Sequence, residues 1–145
     1  MVVAVDVYTK WVEVGLFKSL TSAAVTDWFH REINCRFGTP FAVRTDNGKE
    51  YMGVFDKYCR SMGIKRMKTS TYHPQSNGIV ERYIGVLKAG MRRMKVAFPQ
   101  GEWYQFIPEL IAGLRVLPSK SGYSPFLLVY KAEANWPTVT LESLP

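Results

Sequence analysis

Between Val80 and Phe98 the side chains sort onto two arcs of one helix, and no other stretch restricts the fold as strongly. At 3.6 residues per turn, Glu81, Lys88, Arg92 and Lys95 project within a wedge of roughly 60°. Val80, Tyr83, Ile84, Leu87, Met91, Met94 and Phe98 fill another arc. Such a helix packs on one side and shows solvent a cationic face built around a single carboxylate. Read alone, that face is a solvated one on which the Glu pairs with Lys. The residues before it weigh the other way. Tyr72, His73, Pro74, Gln75, Ser76 and Asn77 carry hydrogen-bonding groups without aliphatic bulk, which suits gripping a polar polymer. With Pro74 and Gly78 they read as a loop, so Glu81 is expected in the first turns of the helix, where an acid faces the positive helix end.

A second acid sits in a different setting. The apolar run Phe41 to Val43 continues into Arg44-Thr45-Asp46-Asn47-Gly48, so Asp46 falls where a strand gives way to a turn. Upstream, Val2 to Val7 and Trp11 to Phe17 read as a hairpin turning at Tyr8-Thr9-Lys10, with Val12, Val14 and Leu16 on one face and Trp11, Glu13 and Gly15 on the other. Thr21 offers an N-cap to a helix over Ser22 to Arg36, which Gly38 and Pro40 end. A further helix is expected over Gly53 to Met62, stopped by Gly63, then a strand over Ile64 to Lys68. Beyond the Glu81 helix, Trp103 to Leu117 and Phe126 to Tyr130 read as helices, with Pro108 tolerated in the first turns. Strand, strand, helix, strand, helix, strand, then helices, is a mixed α/β layer arrangement. At 145 residues one domain is expected, over residues 1–131, with 132–145 as an extended tail.

The formal net charge of +7 points to a polyanionic partner, nucleic acid first. Cys35 and Cys59 have no paired spacing, which argues against a zinc site and a disulfide framework; both read as buried thiols. No apolar run reaches membrane-spanning length and Met1 to Val7 carries no leader pattern, so a soluble, intracellular protein is expected.

Taken together, Thr45-Asp46-Asn47-Gly48, Gly63-Ile64, Tyr72-His73-Pro74-Gln75-Ser76-Asn77-Gly78 with Val80-Glu81-Arg82, and Gly122-Tyr123-Ser124-Pro125-Phe126 with Val129-Tyr130 resemble the catalytic core of retroviral and retrotransposon integrases, the gypsy-type elements above all. The resemblance spans nearly the whole chain. It implies an RNase H-like fold in which three carboxylates hold two divalent ions, Mg²⁺ or Mn²⁺, for cleavage and strand transfer of DNA. Asp46 matches the second carboxylate and Glu81 the third, so both are candidate catalytic residues and metal ligands. Lys88, His73 and Gln75 match positions that contact or orient DNA near the active site. Asn47 serves the turn or touches substrate, and Arg92 and Lys95, with Arg93, supply unspecific phosphate attraction. His30 and His73 are the only histidines, so the family's zinc-binding amino-terminal module is not in this sequence.

Two departures qualify the resemblance. Thirty-four residues intervene between Asp46 and Glu81, one fewer than the family motif carries, and the flanking motifs put the missing one between Tyr51 and Gly63. In the family the first catalytic Asp lies on a strand before the segment that Val2 to Asp6 matches, so Asp6 falls at a non-catalytic position. No residue here then matches the first carboxylate. The strand that carries it would lie between the opening hairpin and the Phe41 strand, and without it two strand edges stay unpaired. One weakly bound ion is expected of Asp46 and Glu81 alone, and this chain by itself is expected to fold poorly or to belong to a longer product. The implied functions are an integrase core acting on the DNA of element ends and target, or an inactive relative that binds nucleic acid or dimerises. A homo-oligomer without membrane or small-molecule partners is implied, and a nuclear location in a eukaryotic host.

Overall fold

The computed structural model describes residues 1–68, 74–119 and 121–135, the side chains of residues 74–77 and 102 excepted. Strands β1 (Val2–Val5) and β2 (Val12–Gly15) form an antiparallel hairpin with Val2 opposite Gly15 and Val5 opposite Val12. The pair is shorter than its hydrophobic pattern because Asp6 builds the turn. Its Oδ2 accepts from the Thr9 backbone N at 2.6 Å and from Thr9 Oγ1 at 2.7 Å, and its backbone N donates to Trp11 O at 2.9 Å. Asp6 thus holds the hairpin turn. Gly15 lets β2 lie close to the first helix, since a Cβ there would come within 2.6 Å of the Phe17 ring and 2.9 Å of Trp28.

Helix α1 (Ser22–Phe29) starts where Thr21 Oγ1 accepts from Ala24 N at 3.2 Å, and it buries Val25, Trp28 and Phe29. The single helix expected over Ser22 to Arg36 is in fact interrupted. A π-helical turn, His30–Asn34, leads into α2 (Cys35–Phe37), and Gly38 follows at φ 85°. Both His30 Nδ1 and Asn34 Nδ2 reach the Tyr58 hydroxyl, at 3.0 and 2.8 Å. Cys35 corrects the reading of two buried thiols: it is exposed with Sγ 3.5 Å from His30 Nε2, while Cys59 is fully buried.

Strand β3 (Ala42–Thr45) pairs parallel to β4 (Lys65–Lys68), and α3 (Val54–Ser61) makes the crossover. Gly63 ends that helix at φ 68°, where the Ile64 N–H turns back to Cys59 O at 2.8 Å. Among the described residues the strands therefore form two separate pairs, β1–β2 and β3–β4. One apolar cluster serves both: Val2, Val25, Trp28, Phe29, Phe55, Cys59 and Ile64 are buried together, with Ala4 and Val43 packed against them.

Helix α4 (Pro74–Ala97) begins earlier than its sequence suggested. Pro74 takes the first helical position, which its fixed φ suits. The expected loop over Tyr72 to Asn77 is thus helical from Pro74 on, and Glu81 lies about two turns into the helix. Leu87 is fully buried and the Tyr83 hydroxyl donates to Lys10 O at 3.0 Å, seating α4 on the hairpin. Helix α5 (Ile107–Val116) follows a 3₁₀ turn, Glu102–Phe106, and packs on α4 where Gly90 leaves room for Leu110. Helix α6 (Pro125–Tyr130) is capped by Ser124 Oγ, which accepts from Leu127 N at 3.0 Å. Residues 131–135 carry no regular structure, and the rest of the expected tail lies outside the described residues.

One buried carboxylate ties these elements together. Glu13, 6% exposed, accepts from Trp11 Nε1 at 2.9 Å and pairs with Arg36 at 3.0 Å and Arg115 at 2.6 Å. Arg115 also donates to Val12 O through Nε and Nη2, at 3.0 and 2.8 Å, and stacks over the Trp11 ring. Replacing Glu13 leaves two guanidinium groups without their shared counter-charge. Glu13→Ala is expected to cost about 3–5 kcal/mol of stability by urea unfolding. A loss under about 1 kcal/mol in that assay would mean that the cluster is solvated.

Candidate nucleic-acid and metal site

Asp46 is carried by the end of β3. Thr45, the last strand residue, is 8% exposed, whereas Asp46 is exposed. The chain turns there because Asp46 Oδ1 accepts from the Gly48 N–H at 2.9 Å, an Asx-type turn that leaves Oδ2 without a partner among the described residues. A 3₁₀ turn, Lys49–Tyr51, follows. Glu50 folds its carboxylate back on Gly48, where a Cβ would meet Oε2 at 2.6 Å. Tyr51 packs edge-on to Phe55, with ring centroids 5.6 Å apart. Burial, then the negative charges of Asp46 and Glu50, push its phenol up to about 12. Asn47 is exposed beside the turn.

The second acid lies on the solvent side of α4. Glu81, Lys88, Arg92 and Lys95 are all exposed, as the helical spacing requires, and so are Arg82 and Arg93. Their neighbours on the opposite arc, Val80, Tyr83, Ile84, Met91 and Met94, are half-buried around Leu87; Phe98 lies past the helix end, exposed, with its ring stacked on Phe106. Glu81 forms no ion pair with Lys88 or with any other described residue. Arg92 Nε donates to Lys88 O at 3.3 Å, which lays its side chain along the helix. His73 lies outside the described residues, as does the side chain of Gln75.

These residues do not assemble into a closed cage. Helix α4 rests on β1 and α5, whereas Asp46 leaves from β3. Among the described residues no group of three or more His, Cys, Asp or Glu side chains comes together as a metal site. What is present is two exposed carboxylates, hard oxygen donors of the kind Mg²⁺ and Mn²⁺ take. The donor chemistry fits a divalent cation and the set is partial. Two residues of this neighbourhood carry no distinguishing signal in the sequence. Tyr51 reads there as an ordinary aromatic, and Arg66 as one cation of the run Lys65-Arg66-Met67-Lys68; only the register of β4 against β3 separates Arg66 from the solvated lysines beside it. Among the described residues, no helix is long and apolar enough to cross a membrane.

Comparison with known proteins adds an independent line. No protein-family model matches the chain. It is 30% identical over 131 residues to the Gag-Pol polyprotein of avian reticuloendotheliosis virus, and 31% identical over 133 residues to the Pol polyprotein of radiation murine leukemia virus. The alignments cover 90% and 91% of this chain, which spans 11% and 23% of the length of those relatives. Among solved structures it is similar to the HTLV-2 integrase catalytic core domain in complex with magnesium, with a TM-score of 0.69 and 26% identity over 86% of this chain and 80% of that one. The architecture is the RNase H-like one that the motifs implied.

The Asp46 turn can be tested through Tyr51. Its raised value favours the neutral phenol in the folded state, so it supports stability fully below the ordinary value of 10.0 and loses that support as pH rises towards about 12. In a difference absorbance titration against Tyr51→Phe, the Tyr51 phenolate is expected to appear at lower pH in Asp46→Asn than in the parent. An unchanged midpoint would show that the Asp46 charge is not felt at the Tyr51 hydroxyl.

Proposed function

This chain is homologous to retroviral Gag-Pol and Pol polyproteins and has the fold of an integrase catalytic core, and on that footing we propose that it acts in DNA integration by metal-assisted phosphoryl transfer, as 3′-end processing and strand transfer. The observation that carries this reading is the pairing of two acids in unlike settings. Asp46 is exposed directly after the buried Thr45 that ends β3, and Glu81 is exposed, with no ion pair among the described residues, within a cationic helix face.

Asp46 and Glu81 are the residues that would hold Mg²⁺ or Mn²⁺. The HTLV-2 integrase core was solved in complex with magnesium, which supports that choice. Bound there, a divalent cation neutralises developing charge on phosphoryl oxygens and lowers the pKa of an attacking water or 3′-hydroxyl. The protein's own part is positional. The Gly48 N–H engages one carboxylate oxygen of Asp46 and leaves the other free to ligate. Lys88, Arg92 and Lys95 lie along one face of a rigid helix and would follow a phosphate backbone at helical spacing, with Asn47 reaching the DNA from the Asp46 turn; His73 and Gln75 are proposed to orient the DNA end. Self-association and a nuclear site of action in a eukaryotic host belong to the same reading; the HTLV-2 core it resembles was solved in trimeric form. A second reading, nucleic-acid binding or dimerisation without catalysis, needs no metal-bound carboxylate, and binding draws on the same cationic face.

An oligonucleotide strand-transfer assay with Mg²⁺ or Mn²⁺ separates the two. Asp46→Asn and Glu81→Gln are each expected to lower the rate at least about a hundredfold, since even partners of metal ligands are worth roughly 10–100-fold. Full activity in Asp46→Asn means that the metal assignment is wrong. Lys88→Ala with Arg92→Ala is expected to weaken duplex binding and to reduce the slope of log K against log salt by about 2, at roughly 0.9 for each phosphate no longer neutralised. Salt-dependent binding without strand transfer in the parent protein selects the second reading.

A further inference from the structure

Behind the Asp46 turn lies a guanidinium that the proposed chemistry does not use. Arg66 stands on β4 opposite Val43 of β3, and its side chain is only 7% exposed. Nη1 donates to Asp56 Oδ1 on α3 at 2.9 Å, and Nε donates to Thr45 Oγ1 at 3.3 Å. Nη2 is buried and has no hydrogen-bond partner among the described residues. A cationic donor taken out of water and only partly satisfied is costly, so stability alone gives little reason to keep it. The two bonds it does make are informative in their placing. One grips the last residue of β3, directly before Asp46, and the other grips a helix that packs into the core through Phe55 and Cys59.

We infer that Arg66 is a positioning residue for Asp46: by holding Thr45 against α3 it sets the direction in which the Asp46 carboxylate leaves the strand. Asp56 remains an ionised acceptor for this tie, because the hydrogen bond from Arg66, and then that from Arg60, holds its carboxyl below the ordinary range. A guanidinium is suited to the post, since its rigid fork reaches two acceptors from one buried stem, whereas an ammonium is a single mobile point donor. The cation-binding part of the inference rests on the reading of Asp46 as a ligand. The geometric part does not.

Both parts can be tested on the full chain. Four variants are compared with the parent: Arg66→Lys, Thr45→Val, Thr45→Ser and Asp46→Asn. The readouts are thermal melting, Mn²⁺ affinity by electron paramagnetic resonance, and amide hydrogen exchange at Gly48, whose N–H binds Asp46 Oδ1. Arg66→Lys and Thr45→Val are expected to weaken Mn²⁺ binding by about tenfold or more and to speed Gly48 exchange at temperatures where the fold is intact. Thr45→Ser, which keeps the hydroxyl, restores both, and Asp46→Asn abolishes Mn²⁺ binding. A lower melting temperature with unchanged Mn²⁺ affinity and unchanged Gly48 exchange makes Arg66 a structural tie and overturns the inference. If Arg66→Lys does not fold, Thr45→Val decides by the same two readouts. A parent that binds no Mn²⁺, or an Asp46→Asn that binds it normally, sinks the metal reading instead, and Gly48 exchange still decides whether Arg66 sets the turn.

Discussion

Two strand pairs with no described hydrogen bond between them are held as one body by a single apolar cluster. Val2 comes to it from β1, Val25, Trp28 and Phe29 from α1, Phe55 and Cys59 from α3, and Ile64 from the approach to β4. Strand-ladder hydrogen bonds are directional and end within each pair, so the packing of this cluster, with the bonds from His30 and Asn34 to Tyr58, places β1 relative to β3. That placement governs the candidate site. Asp46 leaves from β3, and the helix bearing Glu81 is seated on the hairpin of β1 and β2. The distance between the two acids is therefore a product of core packing, and a close-packed interior transmits small changes.

Charge is used in two ways in the molecule. Glu13 is buried and fully engaged by Trp11, Arg36 and Arg115, which joins β2, the end of the first helical run and α5 across long stretches of sequence. On α4 the opposite holds: Lys88, Arg92 and Lys95 are exposed around Glu81, which has no ion pair among the described residues. A buried pair of this kind needs every partner, because a lone charge in the interior is far costlier than an exposed one. A net charge of +7 left mostly on the surface attracts a polyanion over about a Debye length.

Much of this is legible in the sequence, and the legible part is local. Thr21 and Gly63 announce their helix ends, Asn47-Gly48 announces the turn after β3, and the spacing of the Glu81 helix gives its two arcs correctly. The differences arise where local preference competes with packing. Pro74-Gln75-Ser76-Asn77 reads as a loop because Pro74 and Gly78 bracket it, yet Pro at a first helical position admits a helix just as well. Cys35 is expected inside because cysteine usually is, and the π turn before it leaves the thiol in solvent. Arg66 is invisible, since among Lys65, Met67 and Lys68 nothing distinguishes a buried cation from a solvated one.

The sequence by itself determined which side chains share a face, where chains turn, and that an acid stands at a strand end while another stands on a cationic helix; these depend on periodicity and on residues a few places apart. Only the tertiary structure decided which cations are buried, which elements Glu13 and Arg66 join, and how two strand pairs come to share one apolar cluster. Those outcomes depend on partners far apart in the chain, brought together by burial that no local pattern encodes.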